Sequence, residues 1–265
     1  DLDGLSLESG GVAGLPRAMA VALSPAGGVS ITTLRVSNSS LDLMGLKLGE
    51  LQGEMRQPAA GVALPVLLST PDRSLKLSLQ ERDGSLTGDV EAYAWRPHEQ
   101  SRFRFDSIQA RLLWNGARLE ITSLDARIFG GAILGTLVLD TQQGQPGIAG
   151  NLEVKHMDLQ RLIGGLGEGD KHQGEIAGRI AFGARSTSWE SLLDAASGEG
   201  SFVATRGALG VDLVEAVRRG KGTVQGGSTR FEQMSGNIRI TPESIRLTDV
   251  SLASGLLKAN GMIDV

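Results

Sequence analysis

The residues most able to carry chemistry are sparse in this chain and stand apart. Its three histidines are His98, His156 and His172, and none has a second His, Asp or Glu at metal-ligand spacing on the same element. Six aspartates (Asp42, Asp83, Asp140, Asp158, Asp212 and Asp264) fall at turns and caps, with no two set as an acid/base pair. No G-x-S-x-G, H-E-x-x-H or G-x-x-x-x-G-K-[ST] motif occurs. Arg218-Arg219-Gly220-Lys221-Gly222 is basic and glycine-rich, but it follows an expected helix instead of preceding one. A phosphate loop needs the free amides of a helix N-terminus, so these cations are read as closing a helix C-terminus. Trp95, Trp114 and Trp189 lie too far apart in sequence to form a stacking platform. The residues therefore name no catalytic group, no metal and no cofactor, and the chain is not expected to be an enzyme.

The elements that would have to position any site are mostly strands. Across 265 residues there are 37 glycines and only 4% aromatics, which fits many short strands with aliphatic faces and tight turns. A formal net charge of −4 leaves no basic stripe for nucleic acid. Cysteine is absent, excluding disulfides and thiolate metal sites. No segment reaches the ~20 apolar residues that span a bilayer. The chain starts at Asp1 with no visible signal peptide, and it is read as a piece of a longer or processed protein.

Ser74 to Gln80 is the cleanest alternation, with Leu75, Leu77 and Leu79 on one face and Ser74, Lys76, Ser78 and Gln80 on the other. Asp83-Gly84 turns it into a hairpin partner, Ser85–Trp95, and Ser101–Trp114 follows with Phe103 and Phe105 alternating against charges. Leu2–Leu7, Ala18–Leu23 and Val29–Val36 read as earlier strands. Thr141–Gly150 is polar and rich in Gly and Pro, and it divides the chain into an N-terminal sheet region (1–140) and a C-terminal region (141–265). Three short helices are expected in the latter: Leu159–Ile163 capped by Asp158, one opened by a Thr187/Glu190 capping box and stopped by Gly198, and one from Asp212 to Arg219. Turns are expected at Arg206-Gly207, Ser235-Gly236, Pro242-Glu243-Ser244 and Ala259-Asn260-Gly261.

Three segments share a frame: Ile31–Val36, Ile121–Ala126 and Leu247–Leu252, each with a glycine fourteen residues after its first position (Gly45, Gly135, Gly261). Each slips its alternation at a Thr-x pair, as a β-bulge would, and after each glycine a new strand is expected. Read as repeats, they imply an extended stack.

The C-terminal stretch resembles the AsmA-like proteins of the bacterial envelope. The resemblance rests on Gly198 to Leu213, on Thr229-Arg230-Phe231 and on Leu257 to Asp264. AsmA-like proteins are similar to bridge-like lipid-transfer proteins, in which a β-groove carries acyl chains. The resemblance implies an elongated, curved antiparallel sheet, mainly β, whose apolar groove floor would include Leu75, Leu77, Leu79, Phe103, Phe105, Ile121, Ile133, Leu137 and Leu139. It also implies a periplasmic protein, tethered to the inner membrane by a helix outside this sequence. Such a protein would move glycerophospholipid between inner and outer membranes, with acyl chains, membrane surfaces or envelope proteins as partners. The alternative is a structural factor in outer-membrane protein biogenesis, its aliphatic faces packed together as a closed sandwich.

Overall fold

Alternation at Leu75–Gln80 gives the strand it predicts. In the computed structural model this strand buries Leu75, Leu77 and Leu79 and turns Lys76 to solvent. Residues 2–4, 6–7, 33–43, 46–56, 65–82, 85–96, 101–115, 117–142, 144–166, 172–188, 191–192, 194–210, 227–254 and 257–264 are described. The expected strand Ala18–Leu23 and helix Asp212–Arg219 lie outside them, as does the Asp83-Gly84 turn.

The strands in chain order are β1 (Leu2–Asp3), β2 (Ser6–Leu7), β3 (Thr33–Leu43), β4 (Leu46–Arg56), β5 (Val66–Ser69), β6 (Leu75–Arg82) and β7 (Ser85–Trp95). They continue with β8 (Phe105–Trp114), β9 (Arg118–Ile128), β10 (Gly131–Gln142), β11 (Gln145–Asp158), β12 (Gln173–Arg185), β13 (Ser197–Leu209), β14 (Thr229–Thr241), β15 (Ser244–Ser254) and β16 (Leu257–Asp264). All belong to one open sheet. From β3 to β16 each strand pairs antiparallel with the next, while β1 and β2 lie parallel to β3. The fold is thus mainly β and antiparallel, as expected, with all strands hydrogen-bonded into one sheet. The polar stretch read as a boundary is the β10–β11 hairpin, whose pairing runs from Gln142↔Gln145 to Ala132↔Lys155.

Among the described residues there is one helix, α1 (Leu159–Leu166), where three were expected. Asp158 caps it as predicted, accepting the Arg161 N–H at 3.0 Å. Of the second expected helix, the described residues 191–192 and 194–195 form turns. Ser188 Oγ lies 3.4 Å from the Ser191 N–H, and Ser186 and Ser191 hydroxyls meet at 2.6 Å. Serine side chains that bond the local backbone compete with helix formation. Gly198, expected as a helix stop, is already inside β13.

Three expected turns are also strand interior. Arg206 is a left-handed residue (φ 52°) bulging within β13, Ser235-Gly236 lies in β14, and Ala259-Asn260-Gly261 lies in β16. The Pro242–Ser244 turn is where it was expected. The three Thr-x slips do not share one geometry. The register slips at Thr122 in β9 without a left-handed residue, whereas in β15 the extra residue is Asp249 (φ 51°). In β3 the Thr33–Val36 pairing is regular and the bulge comes at Asn38 (φ 47°). Gly135 sits within β10 and starts no new strand.

Glycines let neighbouring strands approach closely where the sheet coils. A Cβ at Gly135 (φ 152°) would strike Asn151 O, while the nearest atom to one at Gly183 is 3.7 Å away. Gly135→Ala should therefore cost about 2 kcal/mol or more through clash and backbone strain. Gly183→Ala should change stability by no more than about 0.5 kcal/mol. Urea midpoints of the two variants check this.

Candidate functional site

Directly paired residues in an antiparallel sheet point to the same side, so the register defines rows that cross the strands on one face. The row through Leu77 runs Val36, Gly53, Leu68, Leu77, Val90, Ala110, Leu124, Gly135, Leu152, Ile180, Gly200, Ile238, Leu247 and Ile263. Beside it, the Leu75 row continues through Ala92, Ile108, Ala126, Ile133, Val154, Gly178, Phe202 and Gly236. On the other side, the Leu79 row carries Val66, Gly88, Leu112, Ile121, Leu137, Gly150, Phe182, Gly198, Ile240 and Ile245. No residue of these three rows is polar.

Burial divides this face in two. From β3 to β9 it is largely closed to solvent: Leu75, Leu77, Leu79 and Leu112 are at most 5% exposed, Val90 and Ile108 are half-buried against the same core, and Trp114 is 1% exposed with no partner for its Nε1–H. From β9 to β15 the same rows loosen. Ile121, Ile133, Leu137, Ile148, Leu152, Ile180, Phe182 and Ile240 are half-buried, Leu139 is half-buried against the first core, and Phe202, Ala204, Phe231, Met234, Val250 and Leu252 form a separate buried cluster against which Ile238 and Leu247 pack. At the usual interstrand spacing the loosened part is roughly 30 Å across.

The nine groove-floor candidates therefore separate. Leu75, Leu77 and Leu79 belong to the closed core, because the face over β6 is sealed. Phe103 is off the sheet, ahead of β8, 36% exposed and tilted against Phe129 with ring centres 5.9 Å apart. Phe105 begins β8 and meets Trp95 at 6.2 Å. Ile121, Ile133, Leu137 and Leu139 lie on the half-buried face beside β11 and β12. Sequence reasoning missed Leu152, Ile180 and Phe182, although Ile176-x-Gly178-x-Ile180-x-Phe182-x-Ala184 alternates plainly.

The opposite face is polar and laced with ion pairs: Arg35–Glu54 (3.4 Å), Arg111–Asp89 (3.3 Å), Arg179–Glu153 (3.3 Å) and Arg239–Glu199 (2.7 Å). Such exposed pairs contribute about 0–1 kcal/mol each, so they mark the solvent side without holding the sheet together. Two hollows of about 910 and 560 Å³ also open on this polar side. Their floors are the backbone of the Leu77 row, and their walls include Arg35, Lys76 and Glu91 in one and Glu153, Arg179 and Glu199 in the other. The smaller hollow also has Leu134, Leu152, Ile180 and Ala181 in its lining.

On the polar face two bulged residues converge on one carboxylate. His156 (φ 51°) in β11 donates from Nδ1 to Glu175 Oε1 at 2.6 Å, and Arg206 in β13 lies 3.3 Å from Oε2. The His156 hydrogen bond is the main cause holding the Glu175 carboxyl below its ordinary range; desolvation opposes it, and the His156 and Arg206 charges add to the lowering. No nucleophile accompanies the cluster, and no group of three metal-ligating side chains occurs among the described residues. A comparison with protein families, curated proteins and solved structures returns no match.

A carboxylate with a lowered pKa adds stability above its unfolded value and loses that stability as pH falls through the lowered value. Glu175→Gln should therefore lower the melting temperature at neutral pH and flatten the acid limb of the melting-temperature profile. An unchanged acid limb would show that the bulges do not depend on this contact.

Proposed function

We propose that the chain binds acyl chains non-covalently on the half-buried apolar face between β9 and β15, and that it acts as a carrier of glycerophospholipid. The single observation behind this reading is the set of three apolar rows, largely sealed over β3–β9 and accessible over β9–β15. Chains laid there would shed water against Leu, Ile and Phe, and the absence of any polar anchor in the rows favours sliding over fixed docking. The ~30 Å width is about twice the depth of one leaflet's chains, half of a ~30 Å bilayer core. The resemblance to AsmA-like proteins gives the setting: a periplasmic piece of an envelope protein, tethered to the inner membrane and moving lipid toward the outer membrane. No reaction is part of this role.

A second reading rests on β16, which pairs with β15 along one side and has no strand on its other side among the described residues. A free strand edge can accept an extended client segment, which is what an assembly factor for outer-membrane proteins would use. That role needs no lipid.

Extraction of the protein purified from bacterial cells, followed by lipid mass spectrometry, separates the two. Lipid carriage predicts phospholipid near stoichiometric levels, and a lipid-free protein contradicts it. Ile180→Asp should abolish retention while preserving β content by circular dichroism, because the half-exposed site lets the carboxylate reach water. Leu77→Asp buries an unpaired charge and should unfold the protein, at a cost of more than about 4 kcal/mol.

A further inference from the structure

Three glycines of the apolar rows are filled over by neighbouring side chains. A Cβ on Gly150 would lie 2.5 Å from Leu137 Cδ2 and 3.0 Å from Phe182 Cε1, so both neighbours already lean over the glycine. Gly236 is covered in the same way by Phe202, with Cε1 and Cζ at 3.1 and 3.3 Å from such a Cβ. In the closed half, Gly88 is covered by Leu79 Cδ2 (2.8 Å) and Leu112 Cδ1 (3.1 Å). At these three positions the small residue is levelled by a large one, whereas Gly135 and Gly200 in the Leu77 row meet only backbone atoms.

Phe182 differs from Phe202 in one respect. Phe202 is 5% exposed inside a buried cluster, whereas Phe182 is only half-buried, in the loosened part of the face. Resting on the acyl-chain reading above, we propose that Phe182 is a specificity-determining residue. With Leu137 it fills the space over Gly150, so that the open face accepts straight acyl chains and rejects methyl-branched ones. A branch that finds no recess lifts the chain off the floor, and the van der Waals attraction forfeited on both sides of the branch weakens binding. A misfit of one methyl group in an apolar site is worth roughly tenfold or more in discrimination.

The test is competition between dipalmitoyl- and diphytanoyl-phosphatidylcholine. The purified protein is incubated with equimolar mixed vesicles, re-isolated and extracted, and the retained lipids are counted by mass spectrometry. The wild-type protein should enrich the straight-chain lipid by roughly tenfold. Phe182→Ala should move the ratio toward parity by opening the space over Gly150. Leu137→Ala removes the other cover and should act in the same direction, so it carries the test if Phe182→Ala fails to fold. Parity in the wild type, or an unchanged ratio in both variants, overturns the filter and leaves acyl-chain binding standing. Retention of neither lipid overturns the acyl-chain reading and the filter together.

Discussion

A sheet with one largely apolar face has to bring that face against something other than water, and every other feature of this protein answers to that requirement. Burial of apolar area is worth about 25 cal/mol per Å², and three rows without a polar side chain represent the largest stabilising resource in the chain. Over β3–β9 the requirement is met within the protein, where Leu77 and its neighbours are nearly inaccessible. Over β9–β15 it is met only in part. One pattern thus yields a core in the first half and an accessible apolar surface in the second, and this asymmetry makes a ligand-binding reading physically reasonable.

The sheet keeps its rows in phase by local irregularities. A one-residue slip would send a whole strand's aliphatic set to the polar face, so each extra residue has to be absorbed where it arises. Left-handed bulge residues at Asn38, His156, Arg206 and Asp249 do this in β3, β11, β13 and β15. Several are held across strands: Asn38 donates to Asp3 at 2.9 Å, Asn237 donates to Asp249 at 2.9 Å, and Glu175 ties His156 to Arg206. Glycines do the complementary task, letting strands approach where a Cβ would meet the neighbouring backbone. The polar face carries the fastenings and the apolar face stays free of them.

The strands of this fold were legible wherever alternation was clean, as at Leu75–Gln80 and Ser85–Trp95. The bulges were not, because the residues that take a left-handed conformation here include a histidine and an arginine, types that carry no turn signal. Arg206-Gly207 was accordingly read as a turn when the strand runs through it, and the three Thr-x segments appeared to share a geometry they do not have. The second helix failed because a capping box describes only how a helix begins, while the Ser186, Ser188 and Ser191 side chains bond locally in its place. For the candidate site, alternation identified which side chains share a face but not how deeply each half of that face is covered. Leu77 and Leu137 both stand in a Leu-x-Leu spacing, and the burial of their rows is what tells a core position from an accessible one.

Because the chain has no native cysteine, accessibility of the two halves can be measured directly with single substitutions. Leu77→Cys and Ile180→Cys stand on the same row, one under β3–β9 and one under β9–β15. The measurement is the rate of thiol alkylation by a maleimide in the folded protein, with and without phospholipid vesicles. The account predicts rapid modification at position 180, slowed by lipid, and almost none at position 77 under either condition. Equal protection of both positions in lipid-free protein would mean that the whole face is closed, and the apolar rows would then be a core with no binding surface.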